Sequence, residues 1–184
     1  MTIMEDRAVE LQERIQLPRS IRLRLTRNGM TLVPITQAHL TTQRRILNQI
    51  EERLPGWTGV GEFGVVPPRE GYSPEPDVSA VPSDKFLDSA SKFPEDLLRF
   101  VVEIVSPESE ERDYSTKADH YALRGIEAYL VVNVLTGRWT LLTRPEDGSY
   151  RHTETGTFGE KIEIPVDDQT LVLDSSQFVR VVRA

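Results

Sequence analysis

FVVEIV at residues 100–105 and AYLVVNV at residues 128–134 are the two stretches that decide the fold. Each is a nearly continuous apolar run of strand length, the pattern of a strand buried on both faces of a sheet. Ser106-Pro107 breaks the first run. Residues 113–125, DYSTKADHYALRG, then read as a helix with Asp113 as N-cap and Gly125 just past its end. Upstream, Asn28-Gly29 divides two alternating runs between Arg22 and Pro34, a strong β-hairpin signal. Thr36 opens a long helix whose apolar positions Leu40, Ile46, Leu47, Ile50 and Leu54 follow a 3.6 period until Pro55-Gly56 stops it. Between these landmarks, DVSAV at 77–81 reads as a strand after a proline-rich loop, and 83–98 as a polar segment with a short helix around 94–98. Beyond Val134, RWTLLTR and short strands near 149–155, 160–164 and 169–173 form a β-rich tail. This order predicts an α/β or α+β domain with a mixed β-sheet flanked by helices, spanning residues 18–184 after an N-terminal extension at 1–17.

Composition narrows the function classes. The 184 residues include no cysteine, which excludes a disulfide scaffold, a thiolate nucleophile, an iron–sulfur cluster and any Cys-based zinc site. The N-terminus shows no apolar leader core, and no window approaches 18 consecutive apolar residues. The expectation is a soluble, cytoplasmic protein with no membrane partner. Net charge is −7, unevenly spread: residues 1–55 carry +3, residues 56–110 carry −7 and residues 111–184 carry −3. Such a total disfavours a phosphate-rich partner unless some of the carboxylates are neutralised.

The letters of G-x-G-x-x-G occur at Gly59–Gly64, but a helix stop precedes them and Val65-Val66-Pro67-Pro68 follows. A dinucleotide fingerprint needs a strand before and a helix N-terminus after, so this run reads as a glycine-containing strand. His39, His120 and His152 are too widely spaced to suggest a metal cluster and read as surface or packing residues.

Glu103 is the most informative residue. It interrupts the most apolar strand of the chain, where an ionised carboxylate costs several kcal/mol unless paired, hydrogen-bonded or metal-bound. A salt bridge to an arginine of a neighbouring helix is the structural alternative. Asp77 begins the strand after Pro76, and alternation puts it on one face with Ser79 and Val81. If its strand lies beside that of Glu103, the two carboxylates approach to about 5 Å. Like charges that close need a cation between them, and hard oxygen ligands suit Mg²⁺ or Mn²⁺; a capping role is the alternative for Asp77. Lys117 shares a helical stripe with Tyr114 and Tyr121 that faces the sheet. It serves there either as a salt-bridge partner of Glu103 or as a cation beside a bound phosphate.

Pro76-Asp77, Glu103-Ile104-Val105-Ser106-Pro107, Asp113, Lys117, Tyr121, Gly125 and Glu127-Ala128-Tyr129 together resemble the Uma-type restriction endonucleases of the PD-(D/E)xK nuclease superfamily. The resemblance runs from about Leu23 to Val134 and includes Asn28-Gly29 and His39. It implies a restriction-endonuclease-like core with Asp77 and Glu103 as metal ligands, Glu51 or Glu62 as a further carboxylate, and Lys117 as the functional lysine. The superfamily places that lysine two residues after the glutamate, where this chain has Val105, so Lys117 on the next helix stands in for it. Asn133 replaces an aspartate common in the family, and Ser106-Pro107-Glu108-Ser109 replaces its usual Ser-Pro-Ser.

These features predict a Mg²⁺- or Mn²⁺-dependent endonuclease acting on DNA, with Arg44 and Arg45 of the first helix touching phosphates. Pairing into a homodimer is expected because a duplex offers two strands. The competing reading is a catalytically degenerate binding or regulatory module on the same fold. A metal-free carboxylate hydrolase of the glycosidase type is disfavoured by the 7% aromatic content.

Overall fold

The computed structural model describes residues 21–26, 29–34, 36–61, 64–66, 75–87, 92–106 and 113–182, with backbone alone at 21–34, 64–66 and 92. The expected extension at 1–17 and Glu62 lie outside the described residues. The chain divides into two compact units, residues 1–37 and 38–184. The first contains the anticipated hairpin: β1 (Ile21–Thr26) pairs antiparallel with β2 (Gly29–Pro34).

The second unit is built on a six-stranded mixed sheet of order β10-β9-β8-β7-β5-β3. At its centre β7 (Phe100–Ile104) pairs parallel with β8 (Ala128–Asn133), and every residue of both strands is buried. A parallel pair needs a crossover, and helix α2 (Thr116–Leu123) lies within it. Gly125 ends that helix at φ +72°, donating its N–H to the Ala122 carbonyl. On one side β5 (Val78–Pro82) pairs antiparallel with both β7 and β3 (Trp57–Gly61). On the other, β9 (Arg138–Glu146) and β10 (Ser149–Thr157) extend the sheet as a hairpin.

Alternation sorts the sheet into two cores. Val78, Ala80, Phe100, Val102 and Ile104 pack with Ile46, Ile50 and Leu54. Those three lie on helix α1 (Gln37–Arg53) and just past its end. The hairpin β11 (Lys161–Val166) and β12 (Gln169–Asp174) joins this core through Ile162, Ile164, Leu171 and Leu173. The opposite face buries Val101, Val105, Tyr129 and Val131 under Ala118, Tyr121 and Ile126 of α2 and its exit. Each fully buried Val, Leu or Ile contributes about 1.5–3 kcal/mol, so the sheet and its two covers supply most of the driving force.

The glycine run has a packing role. A Cβ at Gly59 or Gly61 would stand 3.1 or 3.2 Å from Leu47 of α1, so these glycines let the helix lie close on β3. Two further elements went unforeseen: β4 (Gly64–Val66) pairs parallel with β6 (Lys92–Pro94). The short helix near 94–98 is a 3-10 turn at Glu95–Leu97. Among the described residues no helix is long and apolar enough to cross a membrane.

Candidate active site

Strand register brings the two central carboxylates together. Val78 is opposite Val102 and Ser79 opposite Val101, so one step further along the ladder places Asp77 opposite Glu103. Both are almost fully buried, at 3% and 1% exposure. Val81, two pairs of residues beyond Asp77, and Val101 and Val105 flanking Glu103 belong to the core beneath α2, so both acids face that helix.

Asp77 sits in the bend before β5, and its Oδ2 accepts the Ile104 N–H at 2.7 Å. Helix α1 grips it from the other side. His39 Nε2 lies 3.4 Å from Asp77 Oδ1, and Gln43 Nε2 donates to the Asp77 carbonyl at 2.7 Å. His39 and Gln43 are one turn apart on the helix, which is why both reach the same residue.

Glu103 receives two donors from α2. Tyr121 Oη donates to its Oε1 at 2.9 Å, and Lys117 Nζ lies 2.6 Å from its Oε2. Lys117 also contacts Asp113 Oδ1 at 2.8 Å. Asp113 is buried at 1% exposure, and Tyr129 Oη donates to its backbone carbonyl at 2.8 Å.

The expected N-cap role of Asp113 is therefore corrected. The helix starts at Thr116 with Ser115 at the cap position, and Asp113 serves instead as a third buried carboxylate of the cluster. The same start explains why Tyr114 leaves the predicted stripe. Ser115 has φ −127° and ψ −86°, outside helical geometry, so the helical spacing does not extend back to Tyr114, which is exposed. Lys117 and Tyr121 keep the predicted inward direction.

Burial pushes the Glu103 carboxyl up from 4.5 to about 7, opposed by Lys117 and reinforced by Asp77 and Asp113. Burial alone would depress Lys117, but Glu103, Asp113 and Asp77 outweigh it and hold the ammonium above its ordinary value. Tyr129 is likewise held well above the usual phenol value, by burial first and then by the three carboxylates. Three buried acids act on one lysine, and the His39 imidazole stands beside Asp77.

That donor set fits a hard dication. It offers hard carboxylate oxygens from Asp77 and Glu103, close enough that Asp77 helps raise the Glu103 carboxyl. Among the described residues no group of three or more His, Asp or Glu side chains is arranged for a metal. Backbone carbonyls and water would complete the coordination.

The other anticipated residues fall elsewhere. Arg44 and Arg45 are exposed on α1, and Glu51 Oε1 accepts the Gly59 N–H at 2.9 Å rather than joining the cluster. Asn133 Oδ1 accepts the N–H groups of Leu135 and Thr136, so the departure there serves a turn and leaves the carboxylates intact. His120 pairs with Glu95, and His152 is exposed.

Comparison with known proteins agrees with this architecture. A crystal structure described as that of a "putative nuclease belonging to DUF820 from Anabaena variabilis ATCC 29413" superposes with a TM-score of 0.63. The match covers 92% of this chain and 96% of that one at 14% identity, and shows a shared fold. No curated protein matches. The family described as "Uma2: Putative restriction endonuclease" matches residues 9–173, nearly the whole chain. By that extent of match, the chain belongs to the Uma2 family of restriction-endonuclease-like proteins.

Proposed function

We propose that the protein is a divalent-metal-dependent endonuclease that hydrolyses DNA phosphodiester bonds. The observation that carries this reading is the buried cluster in which Glu103 and Asp113 share the Lys117 ammonium and Asp77 lies close enough to act on both Glu103 and Lys117. Asp77, which accepts the Ile104 N–H, and Glu103 would hold Mg²⁺ or Mn²⁺. Bound there, the ion would supply Lewis acidity for phosphodiester hydrolysis. His39 and Gln43 hold Asp77 from α1, and Tyr121 holds Glu103 from α2. Lys117, protonated and held by Glu103 and Asp113, stabilises the charge that develops on the phosphate. Exposed Arg44 and Arg45 meet the DNA backbone. Cytoplasmic placement and a homodimer, with each protomer cutting one strand, complete the proposal.

The test is direct. Purified protein should nick or cut plasmid DNA with Mn²⁺ or Mg²⁺ and lose that activity with EDTA. Asp77→Ala and Glu103→Ala should each abolish it. Cleavage that survives both substitutions overturns the assignment.

A further inference from the structure

A second buried charge cluster lies on α2, one turn beyond the first. Glu95 opens the 3-10 turn ahead of β7 and is 3% exposed. Its Oε1 lies 2.8 Å from His120 Nε2, and its Oε2 lies 3.3 Å from Arg124 Nε. His120 and Arg124 follow Lys117 by three and seven positions, so all three share one stripe along about 10 Å of helix axis. The chain segment running from Glu95 into β7 thus grips the helix twice, through Glu95 at one end and Glu103 at the other.

This helix needs such grips. It has eight residues, too short to be stable by itself, and Ser115 makes no side-chain cap hydrogen bond. Its apolar contacts through Ala118, Tyr121 and Ala122 hold it to the sheet, but hydrophobic contact is non-directional and tolerates rotation and sliding. The His120–Glu95 hydrogen bond, backed by the Arg124 ion pair, does not.

We infer that Glu95 is a positioning residue for Lys117. By holding His120 and Arg124 it sets the rotation and register of α2, and thereby keeps the Lys117 ammonium between Glu103 and Asp113. The inference rests on the reading of Lys117 as the functional lysine, and its consequence for the position of Lys117 stands independently of cleavage.

Glu95→Gln and Arg124→Gln in the full chain test it, each alone and combined with Lys117→Ala. Arg124 is part-exposed (24% for its side chain), so its variant breaks the same contact with less disturbance of the fold than loss of the buried Glu95 charge. The first readout is acetylation of Lys117 by acetic anhydride, followed by mass spectrometry with exposed Lys85 as reference. Lys117 should react tenfold or more faster in both variants, with Lys85 unchanged. The second readout is plasmid nicking with Mn²⁺. There kcat should fall about tenfold while KM and Mn²⁺ affinity stay within twofold, and the residual activity of Lys117→Ala should fall no further. Unchanged Lys117 labelling in both variants overturns the inference, as does an equal loss of activity with and without Lys117. Faster labelling in a protein that never cleaves DNA upholds the positioning role and removes the nuclease reading instead.

Discussion

At the N-terminal end of α2, Asp77, Glu103 and Asp113 surround the single ammonium of Lys117; at its C-terminal end, Glu95 alone faces an imidazole and a guanidinium. Both clusters involve α2, and they differ in composition. Removing a carboxylate from water costs several kcal/mol, which a well-placed cation can offset. The Glu95 cluster meets that condition within itself and acts as a fastener. In the Lys117 cluster Asp77 and Asp113 both raise the Glu103 carboxyl, and on the proposed function a metal ion is what joins the acids. The largest effect that separates them is on catalysis. Asp77→Asn and Glu103→Gln should each lower Mn²⁺-dependent cleavage by about 10³-fold or more, roughly 4 kcal/mol of barrier. Circular dichroism should show both variants folded.

Stability should rank the clusters the other way. Glu95→Gln breaks a balanced pair and leaves Arg124 without its counter-charge, at a cost of about 3 kcal/mol, readable from urea unfolding. Glu103→Gln relieves repulsion in an unbalanced cluster. It should leave the apoprotein unchanged or stabilise it by about 1 kcal/mol, the usual direction when a functional group is removed from a strained site. A destabilised Glu103→Gln variant would show that the Lys117 pair is itself a fastener, and the contrast would collapse.

The sequence made these clusters unequally visible. Glu103 stands out because one acid interrupts an apolar strand, and burial of both faces of β7 and β8 follows from the same runs. Asp77 is legible through Pro76 and strand alternation. Asp113 is misread because an aspartate ahead of a helix carries the same local signature whether it caps the helix or points into a site. Only the backbone at Ser115 distinguishes the two. His39 and Gln43 have the right spacing to act together, but their target lies 38 and 34 residues away. Glu95, His120 and Arg124 were invisible for the same reason: no periodicity links a 3-10 turn to a helix 25 residues further on. Local rules recover elements and single anomalies, whereas pairings across the sheet depend on tertiary register.

The smallest and most specific effect is on pH dependence. In the apoprotein the Glu103 carboxyl is raised from 4.5 to about 7, by burial first, then by Asp77 and Asp113, with Lys117 opposing. Between those values the folded state holds a proton that the unfolded chain has released. Its contribution to stability is therefore full below pH 4.5 and lost as pH rises through about 7. The urea midpoint of the apoprotein should fall across that window, and Glu103→Gln should flatten the fall while Glu95→Gln preserves it. Mn²⁺ should act in the opposite sense, because it binds the ionised carboxylate and competes with the proton. The rise in melting temperature on adding Mn²⁺ should grow over the same window. A midpoint that keeps falling in Glu103→Gln would place the extra proton elsewhere and remove this support for Glu103 as a metal ligand.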